Sequence, residues 1–179
     1  MNPLLLSILL LVGFSLLVIL LGFFGIGGLS LAPWVPLYPS DHKRVMDILN
    51  LKSGDILYEL GSGTGIVTTN AGLIYGVTAT GIEISPVLFC YSVLKKYIKQ
   101  SHGARFWLKN LYTTNLSDAT VIYIYGMPNK NGKVVAKLQK ECKPGTRIIS
   151  YTFHMPGLQH TVRHRDTDTQ VPIYEYIIQ

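Results

Sequence analysis

The first forty residues differ in hydrophobic pattern from the rest of the chain. From Pro3 to Ala32 almost every position is apolar, and the first charged side chain is Asp41. A helix of about 20 apolar residues crosses a bilayer, and this stretch exceeds that length before Gly22 and later glycines interrupt it. The pattern predicts a single transmembrane anchor over residues 1–31.

Two other structures are compatible with such a segment, a cleaved signal peptide and a buried core helix. A signal peptide has a basic start and a small-residue cleavage site. Here only Asn2 separates the first methionine from the apolar run, and Pro33 follows Ala32, the best cleavage position. The anchor is therefore the favoured interpretation.

The basic residues nearest the predicted span all follow it, at His42, Lys43, Arg44 and Lys52. The positive-inside rule then predicts that the remainder of the chain lies on the cytoplasmic side, or on the matrix side in an organelle. Cys90 and Cys142 show neither a C-x-x-C spacing nor a Cys/His cluster. They fit a reducing compartment, and we expect no metal site.

Residues 32–40 form a proline-punctuated stretch with two aromatic side chains, Trp34 and Tyr38. Prolines at this density predict an extended linker between the anchor and a domain. Ser40 is a predicted N-cap for a helix whose apolar positions Val45, Ile48 and Leu49 share one face.

Beyond the linker, apolar runs of strand length alternate with segments of helical periodicity. The predicted strands are Ile56–Leu60, Thr78–Ile82, Ala104–Leu108, Val121–Tyr125, Arg147–Phe153, Thr161–Arg165 and Pro172–Ile178. The predicted helices between them are Ile66–Tyr75, Pro86–Lys99 with Ser85 as its cap, and Lys130–Glu141. This alternation predicts an α/β fold with a seven-stranded, mostly parallel sheet and an antiparallel edge.

Composition limits the number of domains. The chain has 179 residues, of which 48% are hydrophobic, and a net charge of +6. That length suffices for one domain with a sizeable core, here residues 41–179.

A glycine loop follows the first predicted strand, with glycines at 61, 63 and 65, and the second strand leads to Glu83. In parallel α/β domains this pairing holds an adenosine-containing cofactor, although a purely structural turn is the alternative. Dinucleotide sites place a third glycine five positions after the first, where this chain has Ile66. The Glu59 carboxylate is unfavourable beside a diphosphate but favourable beside an ammonium group. S-adenosyl-L-methionine has that ammonium and no phosphate.

Glu59, the three loop glycines and Glu83 resemble the cofactor motifs of class I S-adenosylmethionine-dependent methyltransferases, which have a Rossmann-like fold. The resemblance implies that the backbone of Gly61, Ser62, Gly63 and Gly65 lies against the methionine part of the cofactor. It also implies that Glu83 accepts hydrogen bonds from both ribose hydroxyls. Asn110 and Leu111 follow the third strand, where these enzymes often place a polar group near the adenine.

A narrower resemblance covers nearly the whole region after the anchor. The segments that carry it are 34–36, 57–65, 81–84, 110–112, 117–121 and 143–150. They are similar to the small protein-lysine methyltransferases, a family with archaeal broad-specificity members and membrane-anchored mitochondrial members. The mitochondrial members act on the c subunit of ATP synthase or on the adenine nucleotide carrier, which implies a protein substrate here. Thr64 and Ile66 depart from the family's acidic and basic residues at these positions and leave substrate choice open.

A methyl acceptor needs alignment more than acid-base chemistry, because the sulfonium is already activated. A lysine must arrive neutral, which aromatic and polar walls favour by desolvation. The carboxyl edge of the sheet is where open α/β sheets bind ligands. The acceptor-side candidates are Tyr125, Asn129 and Tyr151, and the candidates for substrate binding are Trp34, Tyr38, Tyr112 and His154. Ordinary packing is the alternative role for each.

Lysines 130, 133, 137 and 140 are spaced to share one face of the last helix, which would be either solvated or in contact with anionic lipid. We find no recognition motif for nucleic acid and expect no such partner. The sequence thus predicts a membrane-anchored methyltransferase of lysine side chains. Two alternatives stay open: methylation of a quinone or isoprenoid, and a non-catalytic, cofactor-binding membrane scaffold.

Overall fold

A computed structural model describes residues 2–25, 35–126, 128–159, 161–165, 167 and 169–179. The helices are α1 (Pro3–Gly25), α2 (Asp41–Leu49), α3 (Ile66–Ile74), α4 (Pro86–Ile98) and α5 (Pro128–Glu141). The strands are β1 (Ile56–Leu60), β2 (Thr78–Glu83), β3 (Ala104–Leu108), β4 (Val121–Ile124), β5 (Arg147–Tyr151), β6 (Val162–His164) and β7 (Ile173–Ile177). A short 3₁₀ turn, Leu111–Thr113, lies between β3 and β4.

The strands form one seven-stranded sheet in the order β3, β2, β1, β4, β5, β7, β6. Strands β1 to β5 pair in parallel, whereas β7 runs antiparallel to both β5 and β6. The predicted α/β fold with an antiparallel edge is confirmed. Strand β1 lies between β2 and β4, so the order reverses there and opens a crevice at the carboxyl edge.

Strand alternation divides the core into two layers, one on each face of the sheet. On one face Leu57 packs with Val45 and Leu49 of α2. On the other face Leu60 packs with Val134 and other apolar residues of α5. Because successive side chains of a strand alternate, the odd-numbered positions of β1 and β4 all lie on the α2 face.

Four predicted strands are shorter in the structure, and β6 and β7 each lose one residue at both ends. Strand β4 ends at Ile124, and β5 ends at Tyr151, two residues before the predicted end. Thr152 has φ +73°, which lies far from the extended conformation and ends the ladder.

The two predicted serine caps occupy the N-cap positions of α2 and α4, but neither side chain makes a capping hydrogen bond. Ser40 has helical dihedrals of −60° and −28°, so it already belongs to the turn preceding α2, and its side chain makes no capping hydrogen bond. Ser85 is extended, as an N-cap should be, but its side chain makes no capping bond either. Pro86 does occupy the first turn of α4, as predicted.

The shared lysine face predicted for α5 is wrong at Lys137. Its side chain is only 8% exposed. Its Nζ atom donates to the Thr114 carbonyl at 2.7 Å and to Glu141 Oε1 at 2.6 Å. Lys133 and Lys140 are exposed, and the side chain of Lys130 lies outside the described residues.

Helix α1 contains 23 apolar or small residues, and its described leucines, isoleucines and valines are largely exposed. Counted over the residues that the structure describes, none of the helices combines the length and hydropathy of a membrane span. The anchor over residues 1–31 therefore stays a prediction. The linker is described from Val35 onward, so Trp34 lies outside the described residues.

Candidate active site

The glycine loop sits at the carboxyl end of β1 and is bonded to the end of β2. The Gly61 and Ser62 amides both donate to the Ile82 carbonyl, at 3.0 and 2.9 Å. Gly61, Gly63 and Gly65 all have positive φ, between 54° and 76°. Glycine adopts that conformation without a steric penalty. The loop can therefore turn sharply while its backbone stays against β2.

Glu83 ends β2 and holds the loop from the other side. Its Oε2 atom accepts a hydrogen bond from the Gly63 amide at 2.7 Å. Its Oε1 atom accepts from the Ile84 and Ser85 amides at 2.9 and 2.8 Å. Three backbone donors stabilise the ionised carboxylate, although it is only 6% exposed. The carboxylate is thus fixed beside the glycine loop, where the sequence predicts it.

Glu59 lies one strand away on the same face of the sheet and is 5% exposed. The Thr68 amide and hydroxyl both donate to its Oε2 atom, at 2.9 and 2.6 Å. Burial raises the pKa of the Glu59 carboxyl to about 7, although the two bonds from Thr68 act in the opposite direction. The carboxyl therefore changes charge near neutral pH, and a cation beside it would favour the ionised form.

Two buried hydroxyls of this region have no hydrogen-bond partner within the described part of the chain. They are Ser62 Oγ in the glycine loop and Ser85 Oγ directly after Glu83. Buried hydroxyls are normally satisfied, so two orphaned ones beside two carboxylates indicate a polar ligand. A molecule with an ammonium group and vicinal hydroxyls, such as S-adenosylmethionine, fits this set of donors and acceptors.

Packing also restricts the glycines of this region. A Cβ atom on Gly65 would lie 2.6 Å from the Phe106 ring and 2.7 Å from Ser92 Cβ. One on Gly81 would lie 2.7 Å from the same ring. Gly65 is therefore required by the contact between the loop and β3, a reason that the sequence pattern does not reveal.

Asn110 and Leu111 follow β3 beside Glu83, since the Lys109 amide donates to the Glu83 carbonyl at 3.0 Å. The Asn110 side chain accepts from the Tyr112 amide at 2.9 Å and so caps the 3₁₀ turn. Leu111 is buried, and Tyr112 is 37% exposed. The turn forms the outer wall of the loop region.

Two of the three acceptor-side candidates, Tyr125 and Tyr151, meet at the ends of β4 and β5. The Tyr125 ring packs edge-on against Tyr151 at 4.8 Å between centroids and stacks on Phe153 at 6.4 Å. Tyr151 is fully buried, and its hydroxyl donates to Asp41 Oδ2 at 2.6 Å. Tyr151 thus lies beneath the surface that a substrate would touch, with its hydroxyl bonded to α2.

Helix α2 is fixed to this edge by a second group of contacts. Arg44 donates to the Val171 and His164 carbonyls at 2.8 and 2.6 Å, and its Nη1 atom lies 3.5 Å from Asp41 Oδ1. The first helix after the linker is therefore bonded to β5 through Tyr151 and to the β6–β7 connection through Arg44.

Thr152 follows Tyr151 in a γ-turn with a positive central φ of 73°. The Phe153 amide donates to the Tyr151 carbonyl at 2.9 Å, across Thr152. This conformation is rare and strained, especially for a β-branched residue. Thr152 Oγ1 is buried beside the Tyr125 side chain, without a well-formed hydrogen bond to any described residue.

Sequence reasoning missed Thr152, Phe153 and Tyr123 as site residues. Tyr123 lies opposite Glu59 in the sheet register, and burial raises the pKa of its phenol well above the ordinary value. Its hydroxyl is another buried group without a partner among the described residues. Counting odd positions along β4 would have placed Tyr123 on the face of Glu59.

The remaining candidates are not all brought to the same place. Tyr38 is 56% exposed and lies close enough to Tyr125 to contribute to the raised pKa of the Tyr125 phenol. His154 packs instead against Tyr174 and Tyr176, at 5.8 and 6.0 Å, toward the α5 face. Asn129 is in the first turn of α5, and its side chain lies outside the described residues. Across the described residues, no group of three or more histidine, cysteine or carboxylate side chains could hold a metal ion.

Comparison with known sequences matches residues 59–162 to the ANTKMT methyltransferase domain. A Saccharolobus islandicus (strain REY15A) protein named protein-lysine N-methyltransferase is 29% identical over 157 residues, which cover 84% of this chain and 98% of that protein. A Homo sapiens protein, named as the lysine N-methyltransferase of the ATP synthase C subunit, is 29% identical over 125 residues. That match covers 69% of this chain and 53% of the human protein, so this chain spans about half of that relative.

Among solved structures, an RNA methyltransferase from Salinibacter ruber in complex with S-adenosyl-L-homocysteine superposes with a TM-score of 0.75. It is 27% identical, and the match covers 80% of this chain and 94% of that one. The Rossmann-like class I sheet and the predicted cofactor, S-adenosyl-L-methionine, are confirmed.

Proposed function

Because this chain belongs to the ANTKMT methyltransferase domain family, we propose that it is a membrane-anchored enzyme that methylates lysine side chains of a protein in or beside the bilayer. The observation that carries the proposal is the buried pair Glu59 and Glu83 on either side of the glycine loop. Both carboxylates are held by backbone or threonine donors, on the sheet face that also carries Tyr125.

The cofactor would be held by this chain's own polar groups. Glu83 would accept from the ribose hydroxyls, Glu59 would face the ammonium group, and Ser62 and Ser85 would supply the two orphaned hydroxyls. S-adenosylmethionine, when bound, would supply a methyl group to the amine lone pair; the bond from that methyl to sulfur breaks, both electrons stay on sulfur, and the leaving group is the neutral thioether. Glu59 responds by ionising, since a neighbouring cation lowers the pKa that burial raises.

The acceptor half suits a neutral amine. Tyr125 and Phe153 would line an aromatic wall that excludes water, and desolvation lowers the pKa of an ammonium group. Burial raises the pKa of the Tyr125 phenol, so this residue stays neutral and orients the amine by a hydrogen bond rather than acting as a base. Thr152 Oγ1 lies beside it and would serve as a second polar contact.

Lysine is favoured as the acceptor by the names of the relatives from Saccharolobus islandicus and Homo sapiens. The Salinibacter ruber structure is named an RNA methyltransferase, and a lipid-soluble acceptor such as a quinone would also suit an anchored enzyme. A test must therefore separate label in protein, RNA and lipid.

The anchor is supported by the surface of α1. Leu4, Leu11 and Phe14 are 65–67% exposed, and burying one such side chain is worth about 1.5–3 kcal/mol. A helix that shows this surface along its described length would be stabilised by lipid. The basic residues that follow would then keep the catalytic domain on the cytoplasmic or matrix side.

The acceptor is tested by incubating the full chain with methyl-tritiated S-adenosylmethionine and fractionated membranes. We expect label in protein, recovered as methyl-lysine after acid hydrolysis. Label confined to the lipid extract or to RNA would overturn the lysine proposal. Glu83→Ala, which keeps α1, should transfer no label and so controls for adventitious methylation.

The anchor is tested by alkaline carbonate extraction of membranes that contain the full chain. We expect the chain to stay in the pellet, and the double variant Leu9→Arg/Val12→Arg to move to the supernatant. Extraction of the unsubstituted chain would overturn the anchor. Protease added from the cytoplasmic or matrix side should then cleave the catalytic domain.

A further inference from the structure

Helix α4 carries an apolar surface that the protein leaves uncovered. Its members are Val87, Tyr91, Leu94, Tyr97 and Ile98, here called the α4 surface, and they are 39–69% exposed. At 3.6 residues per turn these five positions and Cys90 fall within an arc of about 120°. Such a contiguous stripe is typical of a surface that meets another apolar medium.

The elements that pack against α4 also carry exposed apolar side chains. Cα atoms of α1 approach those of α4 within 8 Å, yet the α4 side chains stay exposed with α1 in place. Leu73 and Ile74 at the end of α3 and Leu108 at the end of β3 are also 46–61% exposed. Both elements pack against α4.

The charged side chains of α4 itself are all basic, and the carboxylate that interacts with Lys95 is the buried Glu59. From Ile84 to Ser117 the sequence contains neither aspartate nor glutamate, and the lysines at the C-terminal end of α4 are Lys95, Lys96 and Lys99. Lys95 Nζ lies 4.9 Å from the centroid of the Tyr91 ring, and Lys96 Nζ lies 5.6 Å from that of Tyr97. Ammonium groups therefore lie directly beside the exposed aromatic rings.

We propose that the α4 surface lies in the headgroup region of an anionic phospholipid bilayer. Leucine, isoleucine and tyrosine side chains would enter the boundary with the acyl chains while the lysines reach the phosphates, as in other interfacial helices. A second copy of the chain is disfavoured, because a two-fold contact would place Lys95, Lys96 and Lys99 against the same three lysines. Nucleic acid is disfavoured as well, because its phosphate backbone offers no apolar contact for the exposed Leu94 and Ile98.

This contact would also fix the catalytic site relative to the membrane. Helix α4 starts at Pro86, directly after Ser85, whose amide is bonded to Glu83. Docking of α4 would therefore hold the cofactor edge of the sheet at one height above the bilayer. The proposal goes beyond methyl transfer and does not depend on which acceptor the enzyme uses.

Cys90 offers a native labelling position on α4, since it is exposed whereas Cys142 is buried. The full chain with Cys142→Ala, labelled at Cys90 with an environment-sensitive fluorophore, is reconstituted into vesicles of phosphatidylcholine alone or mixed with phosphatidylglycerol. Quenchers are nitroxide lipids in the bilayer and iodide in the water. We expect lipid quenching and iodide protection in the anionic vesicles. Charge removal by Lys96→Gln and Lys99→Gln should lower the ratio of docked to undocked α4 by about fivefold per lysine.

Two matched labels in a Cys90→Ser/Cys142→Ala background separate the possible results. Gln139→Cys, exposed on α5, should stay open to iodide, and Phe14→Cys in α1 should be quenched by lipid. Quenching at 14 without quenching at 90 overturns the α4 contact. Quenching at 90 without quenching at 14 supports it and overturns the anchor. Protection of the label at position 90 from iodide that persists in detergent and grows with protein concentration would indicate a second copy of the chain. That result would also overturn the contact between α4 and the bilayer.

Discussion

The two halves of the carboxyl edge are built in different ways. On the cofactor half, the carboxylates of Glu59 and Glu83 are held by five hydrogen bonds from donors within twenty residues along the chain. On the acceptor half, Tyr125 and Phe153 meet through rings, and Tyr151 bonds to Asp41, 110 residues away. The two carboxylates are therefore positioned by donors nearby in the sequence, whereas the aromatic wall of Tyr125 and Phe153 depends on contacts between distant parts of the chain.

The halves also differ in how they use unusual backbone. The cofactor half places glycine at each of its positive-φ positions, so its turn carries little strain. The acceptor half has a β-branched threonine at φ +73°. Strain of this kind persists only where surrounding contacts enforce it, so the acceptor half stores backbone strain that a glycine at 152 would relieve.

The largest expected effect is on the cofactor half. Glu83→Ala removes the acceptor for three backbone amides and for the ribose hydroxyls, each charged bond being worth about 1.5–3 kcal/mol. We expect the affinity for S-adenosylmethionine to fall by at least about 100-fold. Isothermal titration measures it. The matched control is Glu175→Gln. Glu175 lies on β7, and its carboxylate accepts a hydrogen bond from Arg147 of β5. This variant should bind S-adenosylmethionine as the unsubstituted chain does. Unchanged binding by Glu83→Ala would contradict the assigned role.

A second substitution separates packing from ligand binding in the same half. Gly65→Ala combines a positive φ with a Cβ 2.6 Å from the Phe106 ring, so we expect about 2–4 kcal/mol of destabilisation without ligand. Urea unfolding measures it. Gly132→Ala in α5, where a Cβ would meet nothing within 4 Å, should be neutral or stabilising by up to about 1 kcal/mol. Equal stabilities for the two variants would show that the Phe106 contact is unimportant.

The Glu59 carboxyl makes cofactor binding depend on pH. Its pKa of about 7 means that it is largely protonated below that pH, and an ammonium ligand prefers the ionised form. We expect S-adenosylmethionine affinity to rise about tenfold between pH 6 and pH 8. Titrations in one buffer series measure it, and Glu59→Gln should remove the dependence. A flat profile for the unsubstituted chain would contradict the proposed ammonium contact.

Without ligand the same group acts on stability in the opposite direction. A carboxyl whose pKa is raised on folding stabilises the protein fully below its unfolded pKa, and this contribution is lost as pH rises through about 7. The urea concentration at the midpoint of unfolding should therefore decline as the pH rises toward about 7. The decline should be smaller for Glu59→Gln.

The smallest effect is expected on the acceptor half. Thr152→Gly relieves the positive φ and should stabilise the protein by about 1 kcal/mol, while it removes the hydroxyl beside Tyr125 and slows methyl transfer. Thr152→Ala keeps the strained backbone and loses the same hydroxyl, so it should slow transfer without the gain in stability. Thermal unfolding and initial rates measure the two effects. A stabilised Thr152→Gly variant with full activity would limit the role of Thr152 to the turn.

The sequence was most informative where function depends on neighbouring residues. Alternating apolar runs predicted the sheet, and the loop glycines with Glu59 and Glu83 predicted the cofactor. Roles that depend on distant contacts were not predictable in this way. The Ser40 and Ser85 side chains make no capping bond. Lys137 is buried against the Thr114 carbonyl, and His154 packs away from Tyr125, because these two environments are formed by residues far along the chain. The strain at Thr152 has no local signature.

The bonds from Asp41 and Arg44 to the sheet limit how far the acceptor half can lie from the membrane. They fix α2, and with it the end of the linker, beside the acceptor half. Nine linker residues, 32–40, span at most about 30 Å when fully extended. With α1 in a bilayer, the acceptor half could therefore modify only lysines within roughly one domain diameter of the lipid surface. Insertion of residues into the 32–40 linker, rather than a change at the acceptor half, would be the direct way to bring lysines farther from the membrane within reach.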